Sequence, residues 1–172
     1  GIRVSRLAFP ETVFEARIYG NLIGTDITGQ AALPNIQGIR IEKQHAASAG
    51  DYVKIGGTGV GEANVIAGNT GDGIYVTTAT SDLVGAHFSI AGNVIGMDWT
   101  RTTPLGNGGN GITFEGPLEA VVADNVISYS AGRGVSILGP LTNHGRGVVL
   151  ARNEIYENTL HGIDLGGNGR TS

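Results

Sequence analysis

In this 172-residue chain, the side chains best placed for chemistry are Glu42 and Glu115. Both stand four residues after the glycine of a recurring tetrad, "GIRI" at Gly38 and "GITF" at Gly111. Inverting hydrolysis of a glycosidic bond asks for two carboxyls ~6.5–9.5 Å apart, one acting as acid and one as base. Two acids at equivalent places in a repeat are a candidate pair. Neither has a second acid or a histidine beside it in sequence to tune its proton affinity, so solvated charges on an exposed sheet face are the plainer reading. Arg40, inside the first tetrad, has the side chain that an elimination would use as base. That chemistry also needs Asp or Glu ligands for Ca²⁺. No residue is assigned as catalytic. The candidate ligand-contact residues are Arg40, Tyr75, Trp99, Thr113 and Glu115.

Other constellations are weaker. His45, His87, His144 and His161 fall at unrelated places, and no pair has metal-ligand spacing. No metal site is assigned. Ca²⁺ needs six or more oxygens; Asp26 and Asp98 with nearby carbonyls could supply some of them, but no calcium motif is present. Their expected role is bonding to the backbone amides of their own loops. "GNGGNG", residues 106–111, matches a dinucleotide fingerprint by letter, but that motif must open a helix and here the strand-like "ITF" follows. "GGNGRT" near the end lacks the aspartate of calcium-binding nonapeptides and does not recur. No cofactor is expected. Trp99, the single tryptophan, is suited to covering its own loop and could stack on a sugar ring. No Ser-His-Asp arrangement and no regular Thr-x-Thr face is present.

Composition narrows the classes further. Glycine supplies 30 residues, well above the usual level of about 7%, without a tripeptide period. The chain has no cysteine, which removes disulfides and thiolate chemistry. A net charge of −4 with no basic run gives a nucleic-acid partner no electrostatic support. No apolar run approaches the ~20 residues of a membrane-spanning helix.

What would position the candidates is a repeat. "GNLIGTDITGQAALPNIQGIRI" returns as "GNVIGMDWTRTTPLGNGGNGITF", with Asn21, Ile23, Gly24, Asp26, Thr28 and Leu33 each matched 72 residues later. A shorter unit lies inside it. "GIRV", "GIRI", "GIYV", "GITF", "GVSI" and "GIDL" share glycine, aliphatic, any residue, apolar. An Asn-x-Ile segment precedes the last five, at Asn21, Asn64, Asn93, Asn125 and Asn153. Before it lies a third short apolar segment such as "ARIYG" or "FSIAG". Each unit therefore predicts three short strands with period-2 alternation and glycine or asparagine at the corners. Strands this short bury an apolar face only if each coil stacks on the next at ~4.8 Å. Ile39, Ile74, Ile112, Val135 and Ile163 would then form an aliphatic column, and the five asparagines would stack at one corner. The expected fold is all-β, a single-stranded parallel β-helix of about five coils across residues 1–172. Residues 24–37 and 96–110 form two long loops expected on the same side of it.

The variable spacing of the tetrads, with strict hexapeptide steps missing, resembles the right-handed parallel β-helix repeat proteins of the pectin-lyase-like superfold. More narrowly, "GNxIGTDxTGxxALxNxxGIxI…IGG…ANVIxGNxGDGIxV" is similar to repeat proteins secreted by bacteria or displayed on their surfaces. The resemblance covers residues 14–169. It implies an extracellular or cell-surface location. It also implies that any ligand would lie on the outer face of the tetrad column, where Arg3, Arg40, Tyr75, Thr113, Ser136 and Asp164 project. The expected function is a non-catalytic structural or adhesive module, a stalk, adhesin or filament subunit touching carbohydrate or protein. The alternative is a polysaccharide lyase or glycoside hydrolase on the same face. Open coils at the ends suggest stacking on copies of itself or on flanking regions of a longer chain, unless residues 5–15 fold across one end.

Overall fold

A computed structural model of the chain describes residues 1–6, 15–43, 52–78, 87–116, 119–138 and 147–166. Most of residues 5–15, expected to cover one end, and both His45 and His144 lie outside them. Strand β1 (Ile2–Arg6) comes first, and each lap then adds three strands. The laps are β2 (Glu15–Ile18), β3 (Leu22–Ile23) and β4 (Ile39–Lys43); then β5 (Tyr52–Ile55), β6 (Val65–Ile66) and β7 (Ile74–Thr78). They continue with β8 (His87–Ala91), β9 (Val94–Ile95) and β10 (Ile112–Glu115); and β11 (Glu119–Ala123), β12 (Val126–Ser128) and β13 (Val135–Leu138). The last lap is β14 (Val148–Ala151), β15 (Glu154–Tyr156) and β16 (Ile163–Leu165).

Every pairing joins equivalent strands of successive laps, and all are parallel. The tetrads build a six-stranded sheet, β1-β4-β7-β10-β13-β16, and two five-stranded sheets complete the tube. The chain is an all-β parallel β-helix with three strands per coil. Among the described residues no helix is long and apolar enough to cross a membrane.

The register produces the expected columns. Ile2, Ile39, Ile74, Ile112, Val135 and Ile163 are successive partners, as are Val4, Ile41, Val76, Phe114, Ile137 and Leu165. From Ile2 and Val4 through Val135 and Ile137, these columns meet Val53, Ile55, Phe88, Ile90 and Val122 of the second sheet and Ile23, Ile66, Ile95 and Ile127 of the third in one core. Full burial of each such side chain stabilises the fold by about 1.5–3 kcal/mol. The tetrad glycine has a steric cause. A Cβ on Gly38, Gly73, Gly111 or Gly134 would stand 2.5, 2.7, 2.7 or 2.5 Å from the carbonyl oxygen of the tetrad glycine one lap on.

Asparagines hold the corner between the second and third sheets. The Nδ2 of Asn21, Asn64, Asn93 and Asn125 each donates to the Oδ1 of the next asparagine, through to Asn153, at 2.9 Å in every case. A second column, unexpected from sequence, stands at the corner after the third sheet: Asn35 donates to Asn69 at 3.0 Å and Asn69 to Asn107 at 2.9 Å. Ser130 occupies the next lap, and its backbone N–H donates to Asn158 Oδ1 at 3.0 Å.

Candidate functional site

On the tetrad sheet, alternation turns two rows of side chains outward. The first is Arg3, Arg40, Tyr75, Thr113, Ser136 and Asp164; the second is Ser5, Glu42, Thr77, Glu115 and Leu138. Glu42 and Glu115 both partner Thr77, so they stand two rungs apart, roughly 9.6 Å at the inter-strand spacing.

Both carboxylates are engaged by neighbours. Glu42 accepts from Arg3, at 3.0 Å from Nε and 2.5 Å from Nη2, and from Arg40 Nε at 2.5 Å. Those hydrogen bonds, Arg3 first and then Arg40, hold its pKa below the ordinary glutamate value. Arg40 also donates to Gln37 Oε1 at 2.9 Å, and its guanidinium carbon lies 4.8 Å from the centroid of the Tyr75 ring. The Tyr75 hydroxyl donates to Glu115. Burial, followed by the Glu115 carboxylate, raises the tyrosine's pKa. Arg3, Glu42, Arg40, Tyr75 and Glu115 thus form one continuous polar chain over four rungs.

The C-terminal half of the first row differs. Thr113 is 2% exposed and Ser136 and Asp164 are fully buried, although they point out of the tube. Asn110 Nδ2 donates to Thr113 Oγ1 at 2.9 Å, and Arg133 Nε lies 2.5 Å from Asp164. Of the five candidate contact residues, the structure gathers Arg40, Tyr75, Thr113 and Glu115 on one sheet, with Thr113 covered.

Trp99 stands apart, in the second long loop. That loop repeats the hydrogen-bond pattern of the first. Thr25 bridges Ala32 and Met97 bridges Pro104, each in antiparallel sense. Asp26 accepts from Thr28 Oγ1 at 2.8 Å and from the N–H groups of Gln30 and Ala31 at 3.1 and 3.2 Å. Asp98 accepts from Thr100 Oγ1 at 2.6 Å and from the N–H groups of Thr102 and Thr103 at 2.9 and 3.0 Å. Both aspartates act as loop braces. For Asp98 burial pushes the pKa up, but the Thr100 hydroxyl and the Thr103 and Thr102 amides outweigh it, so the net direction is down. The two loops touch. The Trp99 N–H donates to the Gly29 carbonyl at 3.4 Å, and a Cβ on Gly29 would lie 3.0 Å from the indole Cδ1. The indole remains 57% exposed. Beneath the loops, Val65, Ala67, Val94, Met97 and Val126 form a second small apolar cluster outside the tube, with Leu105 and Tyr129 packed on it.

"GNGGNG" is a turn leading into β10, and its Asn107 is a rung of the second column. His161 is exposed in the turn before β16. His87 opens β8, and its Nδ1 lies 2.9 Å from Glu119 on the next rung. Among the described residues no three His, Asp or Glu side chains converge as a metal site. Comparison with known protein families, with characterised proteins and with solved structures finds no match.

Proposed function

We propose that the protein is a non-catalytic structural or adhesive β-helix module of the extracellular or cell-surface kind, related in build to the pectin-lyase-like superfold. It presents its outer tetrad face and paired long loops to carbohydrate or to protein. One observation supports this reading above the rest: Glu42 and Glu115, the carboxylates spaced for acid–base work, are both tied down by side chains of neighbouring rungs. A general acid at neutral pH needs a raised pKa, whereas two arginines depress that of Glu42. The face behaves as a mutually neutralised lattice, suited to contact.

The rival reading, a polysaccharide lyase or hydrolase, draws on the two-rung separation of the same pair. Incubation with acidic and neutral polysaccharides, with and without Ca²⁺, separates the two. The module reading expects no product. Product formation that disappears in Arg40→Ala or Glu115→Ala overturns it.

A further inference from the structure

The outer face of the second sheet carries a cleft of its own. It has a volume of about 490 Å³ and is lined by Tyr52, His87, Ser89, Glu119, Val121 and Val149. This is within the range of small-ligand sites, about 300–1,000 Å³. The strand register explains the lining. Tyr52, His87 and Glu119 are successive partners in one outward row, and Ser89, Val121 and Val149 in the other. Their inward neighbours, Val53, Phe88, Ala120 and Val122, belong to the core, so the floor is rigid.

The chemistry of the row is graded. At one end the Tyr52 ring is held by the Lys54 ammonium, 5.2 Å from its centroid. In the middle His87 and Glu119 pair at 2.9 Å, with half of the imidazole side chain open to solvent. At the other end Val121 and Val149 leave an apolar floor, 47% and 56% exposed.

These features exclude most occupants. A peptide strand needs a free sheet edge, whereas β5, β8 and β11 are each paired on both sides. An anion such as a phosphate would face the Glu119 carboxylate, while the neighbouring Lys54 ammonium is drawn over the Tyr52 ring, and among the described residues no helix terminus offsets that charge. A lipid tail would take the His87–Glu119 pair out of water at a desolvation cost that an apolar chain does not offset. A neutral sugar fits each part, since it has an apolar C–H face for an aromatic or valine surface and hydroxyls that donate to a carboxylate and accept from an imidazole or serine.

We propose that this cleft is a binding site for a short neutral oligosaccharide laid across the rungs of β5, β8, β11 and β14. The site is separate from the tetrad face, and it stands or falls independently of whether that face is catalytic. Backbone amide NMR of the whole chain, titrated separately with cellotetraose, chitotetraose and tri-galacturonate, tests it. Shifts confined to the Ser89, Val121 and Val149 region are expected with a neutral sugar, with binding weakened about tenfold or more in Tyr52→Ala and in the cleft-filling Ser89→Leu. Val60→Ser, in a remote exposed turn, should bind as the parent does. The proposal is overturned by no shifts with either neutral sugar, by shifts mapping to the tetrad sheet, or by undiminished binding in whichever cleft variant keeps the parent fold. Stronger binding of tri-galacturonate than of both neutral sugars also overturns it.

Discussion

The carboxamide nitrogen of Asn64 lies 2.9 Å from the carboxamide oxygen of Asn93, one lap further along the chain. Asn93 in turn donates to Asn125 Oδ1 and to the carbonyls of Ile55 and Ala91, at 2.9, 2.9 and 3.0 Å. A single fully buried side chain therefore satisfies groups from three laps.

Truncating that residue tests how much the column contributes. Asn93→Ala strands the Asn64 donor, the buried Ile55 carbonyl and the half-buried Ala91 carbonyl, and a buried group left unmade costs about 1–3 kcal/mol. A loss of about 3 kcal/mol is expected in urea unfolding. Asn153→Ala, at the half-buried outermost rung, should lose about 1 kcal/mol. Equal losses at both positions would remove the column from the account of stability.

Two glycines with positive φ separate conformational strain from steric collision. Gly61 has φ 77° and open space around it; Gly96 has φ 89° and would place a Cβ 1.8 Å from the Ser128 carbonyl oxygen. Gly61→Ala should cost about 1 kcal/mol, the left-handed penalty alone. Gly96→Ala should cost more than about 4 kcal/mol or prevent folding. Thermal melts of the two variants read the difference directly.

The second asparagine column lacks an asparagine at Ser130, whose buried Oγ has no hydrogen-bond partner. Ser130→Asn should supply an acceptor for Asn107 and extend the column to Asn158. A gain of about 1 kcal/mol in urea unfolding is expected. A loss would mean that the serine is there for space.

Acid should destabilise the fold through identifiable carboxylates. Asp26, Glu42, Asp98 and Asp124 all have pKa values below the ordinary ones, Asp26 through Thr28, Glu42 and Asp124 through arginines, and Asp98 as described. A depressed folded pKa gives stability that is present above the unfolded value and lost as pH falls through the folded one. The urea midpoint should stay level from neutral pH to about pH 5 and fall below about pH 4. Asp98→Asn should flatten that fall.

Strand columns and the first asparagine ladder were legible in the sequence because stacking forces each lap to reuse the same residue type at the same offset. The 72-residue echo likewise anticipated two loops with identical bracing by Asp26 and Asp98. The second ladder was hidden by those same loops, which separate Asn21 from Asn35 and Asn93 from Asn107 by a whole insertion, whereas "NVIAGN" and "NEIYEN" carry the pair undisturbed. The covering of Thr113, Ser136 and Asp164 depends on what lies over the sheet, which period-2 alternation does not encode. The second-sheet cleft escaped notice for a similar reason. Its Tyr52, His87 and Glu119 are neighbours only through register, and no two are the same residue type.

In all six ladder bonds of the two asparagine columns the donating amide nitrogen belongs to the earlier lap and the accepting oxygen to the later one. Their dipoles therefore add along the axis, giving the barrel a built-in arrow without any α-helix. A coil laid on in the reverse sense would set oxygen against oxygen and hydrogen against hydrogen. Growth of such a structure is one-way traffic, dictated by amides whose inner rungs, Asn64, Asn69, Asn93, Asn107 and Asn125, are shut away from solvent.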